Sequence, residues 1–114
     1  PGGGGGGGED IGEVQFATME NADRCLGTWP RPFKVLLFTR KVVVPPIWEA
    51  VKERFKSQCS FYQVNVEQQQ LLAAFGVDPG RLPRVVGLTP DSRYMHDGDA
   101  TNNAISSFIL RLLA

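Results

Sequence analysis

Polar and apolar residues change period several times along this chain, and each change marks an element. Val14-Gln15-Phe16-Ala17-Thr18 alternates as a short strand does. Asn21-Ala22-Asp23 supplies a helix cap, so a short helix is predicted from there towards Leu26, ending at Gly27. Trp29-Pro30-Arg31-Pro32 reads as a stiff connector, because each proline fixes its own φ and drives the preceding residue to extended conformations. Phe33-Lys34-Val35-Leu36-Leu37-Phe38 is nearly continuous in apolar residues, the pattern of a central, parallel strand covered on both faces.

Val42-Val43-Val44 and Pro45 follow, and from Pro46 the period becomes helical. Ile47, Val51 and Phe55 share a face with Ala50, while Glu49, Lys52, Glu53 and Lys56 take the other side and Trp48 lies off the stripe. Pro46 suits a first helical turn, and the helix is predicted to stop near Gln58. Phe61 to Val66 is strand-like in its aromatic and β-branched content. A helix over about 67–75 turns Leu71, Leu72 and Phe75 inward and stops at Gly76. Gly80-Arg81-Leu82-Pro83 approaches a strand over 84–88. Thr89-Pro90-Asp91-Ser92 reverses the chain into an antiparallel strand over 93–96, and Asp97-Gly98-Asp99 turns again. A last helix over about 101–113 buries Ile105, Phe108, Ile109 and Leu112. The order βαβαβαββα predicts an α/β fold with a central mixed sheet and helices on both faces.

Composition narrows the function. Twelve basic residues balance twelve acidic ones, so no long-range field draws in nucleic acid or an anionic lipid surface. No apolar run reaches the roughly 18 residues that span a bilayer. Pro1 and seven glycines precede Glu9 and Asp10, so residues 1–12 read as a flexible linker ahead of a folded unit over 13–114. With no initiator methionine and no signal-peptide pattern, the simplest expectation is a segment of a longer protein. The two cysteines, Cys25 and Cys59, allow one disulfide, two buried thiols or one thiol in each environment, and unpaired thiols are the expectation. No cofactor motif is present. His96, Asp97 and Asp99 suit a turn better than a metal site, and Ser92, His96 and Asp99 do not make a triad.

Three stretches resemble the thioredoxin family: Val35-Leu36-Leu37-Phe38, similar to the strand leading into the active site; Phe61 to Gly76, a strand followed by Leu71-Leu72-Ala73-Ala74-Phe75-Gly76-Val77; and Leu82-Pro83-Arg84, similar to the cis-proline loop. The resemblance covers about residues 13–114 and implies a thioredoxin-like fold. The departure from the family is sharp, because the stretch after Phe38 reads Thr39-Arg40-Lys41-Val42-Val43-Val44-Pro45-Pro46, a shorter loop with no Cys-x-x-Cys. Dithiol exchange needs an attacking thiolate at a helix N-terminus and a resolving thiol beside it. The resemblance therefore implies a non-enzymatic, redox-inactive domain, similar to those of the protein disulfide isomerase family and of J-domain co-chaperones. Its setting would be the endoplasmic-reticulum lumen, with the cytoplasm as the alternative.

The partner expected on that basis is protein, either extended or unfolded polypeptide or the remainder of a larger parent chain. The candidate peptide-binding residues are Val42, Val43, Val44, Pro45, Trp48, Leu82, Pro83 and Arg84. Of the three valines, two are expected to pack into the core and one to be exposed. Trp48 is a candidate partner anchor, although it and Trp29 read more simply as half-buried lids on the core. Arg81, Arg84 and Arg93 are expected as a small basic rim near the proline loop. A spacer domain that touches only its parent protein, and a residual thiol enzyme using Cys25 or Cys59, are the competing readings.

Overall fold

The computed structural model describes residues 13–27, 29, 31–96 and 100–114. The linker expected over 1–12 and the turn at Asp97-Gly98-Asp99 lie outside the described residues. Among the described residues there are five strands: β1 (Gln15–Phe16), β2 (Phe33–Thr39), β3 (Cys59–Asn65), β4 (Arg84–Leu88) and β5 (Arg93–His96). Four α-helices alternate with them: α1 (Ala22–Gly27), α2 (Pro46–Phe55), α3 (Gln69–Ala74) and α4 (Asn102–Leu113). A 3-10 turn, Pro79–Arg81, leads into β4. The sheet order is β1-β3-β2-β4-β5. Strands β1, β3 and β2 run parallel to one another, and β4 runs antiparallel to both its neighbours, β2 and β5.

The apolar run of β2 is central because both its faces are covered. Val35 and Leu37 face a core closed by α2 and α4, through Trp48, Val51, Phe55, Ile105, Phe108 and Ile109. Leu36 and Phe38 face a second core closed by α1 and α3, through Cys25, Leu71 and Leu72. Gly87 lets α4 approach the sheet: a Cβ there would lie 2.8 Å from Leu112 Cδ2 and 3.2 Å from Phe108 Cζ. Gly76, at φ +68, ends the α3 region in the left-handed conformation that favours glycine. Thr101 caps α4 by accepting from the Ala104 N–H at 3.2 Å.

Several sequence expectations are corrected. Strand β1 is shorter than 14–18, because Asn21 Nδ2 donates to the Phe16 carbonyl and Thr18 turns the chain. Helix α2 ends at Phe55 rather than near Gln58, and α3 occupies only Gln69–Ala74. The buried face of α2 is Trp48, Val51, Lys52 and Phe55, whereas Ala50 is exposed. Lys52 can be buried because Glu49, Glu53 and Glu13 surround its ammonium at 2.7, 2.6 and 3.4 Å. Arg93 is not beside the proline loop, since it pairs with Leu88 at the opposite end of β4 from Arg84.

Candidate functional site

The antiparallel register pairs Phe38 with Arg84, which sets Pro83 beside Thr39 at the C-terminal end of β2. The Leu82–Pro83 peptide bond is cis. Residues 40–45 leave β2 at the same end and reach α2 without forming a strand or a helix. A cavity of about 180 Å³ lies between these segments, lined by Thr39, Lys41, Pro45, Trp48, Pro83 and Ile105 among others. The chain therefore brings the proline loop, the 40–45 loop and the start of α2 together.

The candidates differ in what they present. Val42 and Val43 are 76% and 65% exposed, and Val44 is half-buried against the core, so two valines rather than one stand in solvent. Pro45 is buried, and its carbonyl accepts from the Trp48 and Glu49 N–H groups at 3.0 Å to start α2. Trp48 is wholly buried, edge-on to Phe61 with ring centroids 5.2 Å apart. It is part of the core and not a surface anchor. Trp29, by contrast, is a partial lid at 37% exposure. Leu82 is half-buried against the α1–α3 core, Pro83 is exposed, and half-buried Arg84 donates to the His96 carbonyl at 3.4 Å.

Sequence reasoning missed the residues that hold the 40–45 loop. Gln63, fully buried in β3, donates through Nε2 to the Val43 carbonyl at 2.9 Å and the Lys41 carbonyl at 3.3 Å. Asn65 Nδ2 donates to the Lys41 carbonyl at 3.2 Å, and Thr39 Oγ1 accepts from the Lys41 N–H at 3.2 Å. A glutamine inside an otherwise apolar and aromatic strand was the available signal, since a buried amide needs partners. Phe16 was also missed. Its register places it in line with Gln63 and Leu37, so it leaves the sheet on the same face as the loop and is 42% exposed.

Both thiols lie elsewhere. Cys59 opens β3 opposite Phe33, and the Cys25 carbonyl accepts from Lys34 Nζ at 2.7 Å, so both sit towards the end of the sheet remote from Pro83. They belong to different cores on opposite faces of the sheet and are unbonded. Burial pushes the Cys59 thiol up to about 12 and also raises that of Cys25, against the opposing charges of Arg24 and Lys34. His96 is buried against Phe108, with ring centroids 5.2 Å apart. Among the described residues, no group of three or more His, Cys, Asp or Glu is placed to hold a metal ion.

A parallel β1-β3-β2 core, two antiparallel strands after a cis-proline and helices on both faces together decide the architecture. The fold is thioredoxin-like. Human ERp44 in its zinc-bound form superposes with a TM-score of 0.72 at 16% identity, over 90% of this chain and 32% of that one. The J-Trx1 fragment of ERdj5 gives 0.70 at 14% identity, over 91% and 53%. Thioredoxin f from spinach chloroplast gives 0.75 at 15% identity, over 91% and 89%. The chain thus spans about a third of ERp44 and about half of the ERdj5 fragment. No family model matches the sequence, and no curated protein sequence matches it. No helix among the described residues is long and apolar enough to cross a membrane.

Proposed function

We propose that this chain is a redox-inactive, non-enzymatic thioredoxin-like domain that holds extended or unfolded polypeptide where the cis-proline loop meets residues 42–45. The observation that carries the reading is the exposure of Val42 and Val43, 76% and 65%, on a pinned loop beside the cis Leu82–Pro83 bond. Adjacent apolar side chains held in solvent can form part of a contact surface. The resemblance to the thioredoxin family implies that an extended segment pairs with the backbone before the cis-proline, here Leu82, through main-chain hydrogen bonds. The remoteness of both thiols from Pro83, and the rise in their pKa values, support a binding role over thiol chemistry. A setting in protein folding and quality control in the endoplasmic-reticulum lumen draws support from ERp44 and ERdj5 among the structural neighbours. Chloroplast thioredoxins share the fold as well, and a cytoplasmic setting is the alternative.

The test is an NMR titration with a reduced, unfolded model polypeptide, run on this chain and on the V42D/V43D variant. Amide shifts should cluster at residues 42–45 and 82–84. The variant, altered only at exposed positions, should keep its fold and bind at least about tenfold more weakly, about 1.4 kcal/mol. A flat response from the unaltered chain would discard the reading in favour of a docking or spacer domain.

A further inference from the structure

We infer that the polypeptide preferred at this end of the sheet carries carboxylates beside its apolar residues; the inference rests on the polypeptide-binding reading above and adds the partner's chemistry. The chain as a whole is neutral, yet exposed Val42 and Val43 directly follow two cations, Arg40 and Lys41, and a third, Arg81, stands two residues before the cis Pro83. All three are exposed, and none forms an ion pair with a carboxylate among the described residues. Arg40 ties the two halves of the site together, because its Nη2 donates to the Pro79 carbonyl at 2.8 Å, in the turn that carries Arg81 towards Pro83. The nearby carboxylate of Asp78 is engaged by the Gly80 N–H at 2.8 Å and does not neutralise Arg81 within ion-pair distance.

The contrast with α2 sharpens the point. There Lys52 and Lys56 are matched by Glu49, Glu53 and Glu13, so these two cations are compensated within the chain. At the proline end, among the described residues, no carboxylate lies within ion-pair distance of Arg40, Lys41 or Arg81. Three cations without an ion pair among the described residues, near exposed valines, favour a segment in which aspartate or glutamate flanks aliphatic residues, and they disfavour a lysine-flanked one by like-charge repulsion.

Three short synthetic peptides decide it, sharing one extended aliphatic core and flanked by glutamate, asparagine or lysine, each titrated at low and high salt. The glutamate peptide should bind about tenfold more tightly than the lysine peptide at low salt, with the gap closing as salt screens exposed charges. In the K41E/R81E variant, changed only at exposed side chains, the order of the glutamate and lysine peptides should invert. Equal affinity for all three peptides, or a preference that survives the charge reversal, would overturn the inference while leaving the polypeptide reading intact. Failure of all three to bind would remove both. Comparable binding of anionic phospholipid vesicles or a single-stranded oligonucleotide at the same residues would also overturn it, by making the surface a general anion site.

Discussion

Two buried lysines show how neighbours set the sign of an electrostatic effect. Lys52 is buried, which disfavours its charge, but hydrogen bonds to Glu49, Glu53 and Glu13 outweigh that and raise its pKa. Lys34 is equally buried, with its ammonium over the Trp29 ring at 4.4 Å and no carboxylate in ion-pair contact among the described residues. Burial pulls it down from 10.5 to about 8, only partly opposed by Cys25. Between these two values the unfolded chain holds a proton that the folded chain has released, so this group adds stability as pH rises. The stability of the unaltered chain relative to K34M should therefore increase as pH climbs from about 7.5 towards 10. Chemical denaturation across that range measures it, and a flat difference would refute the assignment. Subtracting the K34M curve also removes the opposing contribution of Cys59, whose raised pKa costs stability above its ordinary value of 9.0. Neither lysine's burial was legible in sequence, because a lysine in an apolar run and a lysine on a helix both read as solvated until their partners are placed.

Among the elements, the strongly periodic segments were legible and the irregular loop was not. The runs that became β2, β3 and α4 show their period directly, and Gly76 and Thr101 mark boundaries by their backbone chemistry. Helix α2 was found but turned too far on its axis, since Trp48 and Lys52 outcompete Ala50 for the interior once Glu13 arrives from a distant part of the chain. The valines at 42–44 have high strand propensity yet form no strand, because β2 already pairs with β3 and β4 and the loop's carbonyls are taken by side-chain amides. Gln63→Leu tests that account. Removing its Nε2 leaves the Val43 carbonyl without that donor, so hydrogen exchange at residues 41–44 should accelerate about tenfold or more while the amides of β2 and β4 keep their protection. Equal acceleration throughout the sheet would show instead that Gln63 serves the core.

The whole molecule is a sheet dividing two cores, with the cis-proline site at one end and the thiols towards the other. That division separates Cys25 from Cys59, and their raised pKa values keep both in the thiol form near neutrality. Labelling with a disulfide reagent at pH 7–8 should be slow in the native chain and should release two thiols on denaturation, with no change in mobility between reduced and non-reduced gels. Rapid labelling of either cysteine under native conditions would revive a thiol-based function. The architecture could be read from the order of periods, and a candidate site was proposed from a proline and an absent dithiol. Of the cations there, Arg81 was expected near the proline loop, whereas Arg40 was not, because it joins that turn only through its hydrogen bond to the Pro79 carbonyl. The loop between β2 and α2 takes its shape from amides of β3 and from Pro45, none of which belongs to the exposed tips at Val42 and Val43. Those two positions can therefore be rewritten without refolding their neighbours. The domain would then serve as an exchangeable recognition head, on which a change of ligand preference requires two codons and no new core.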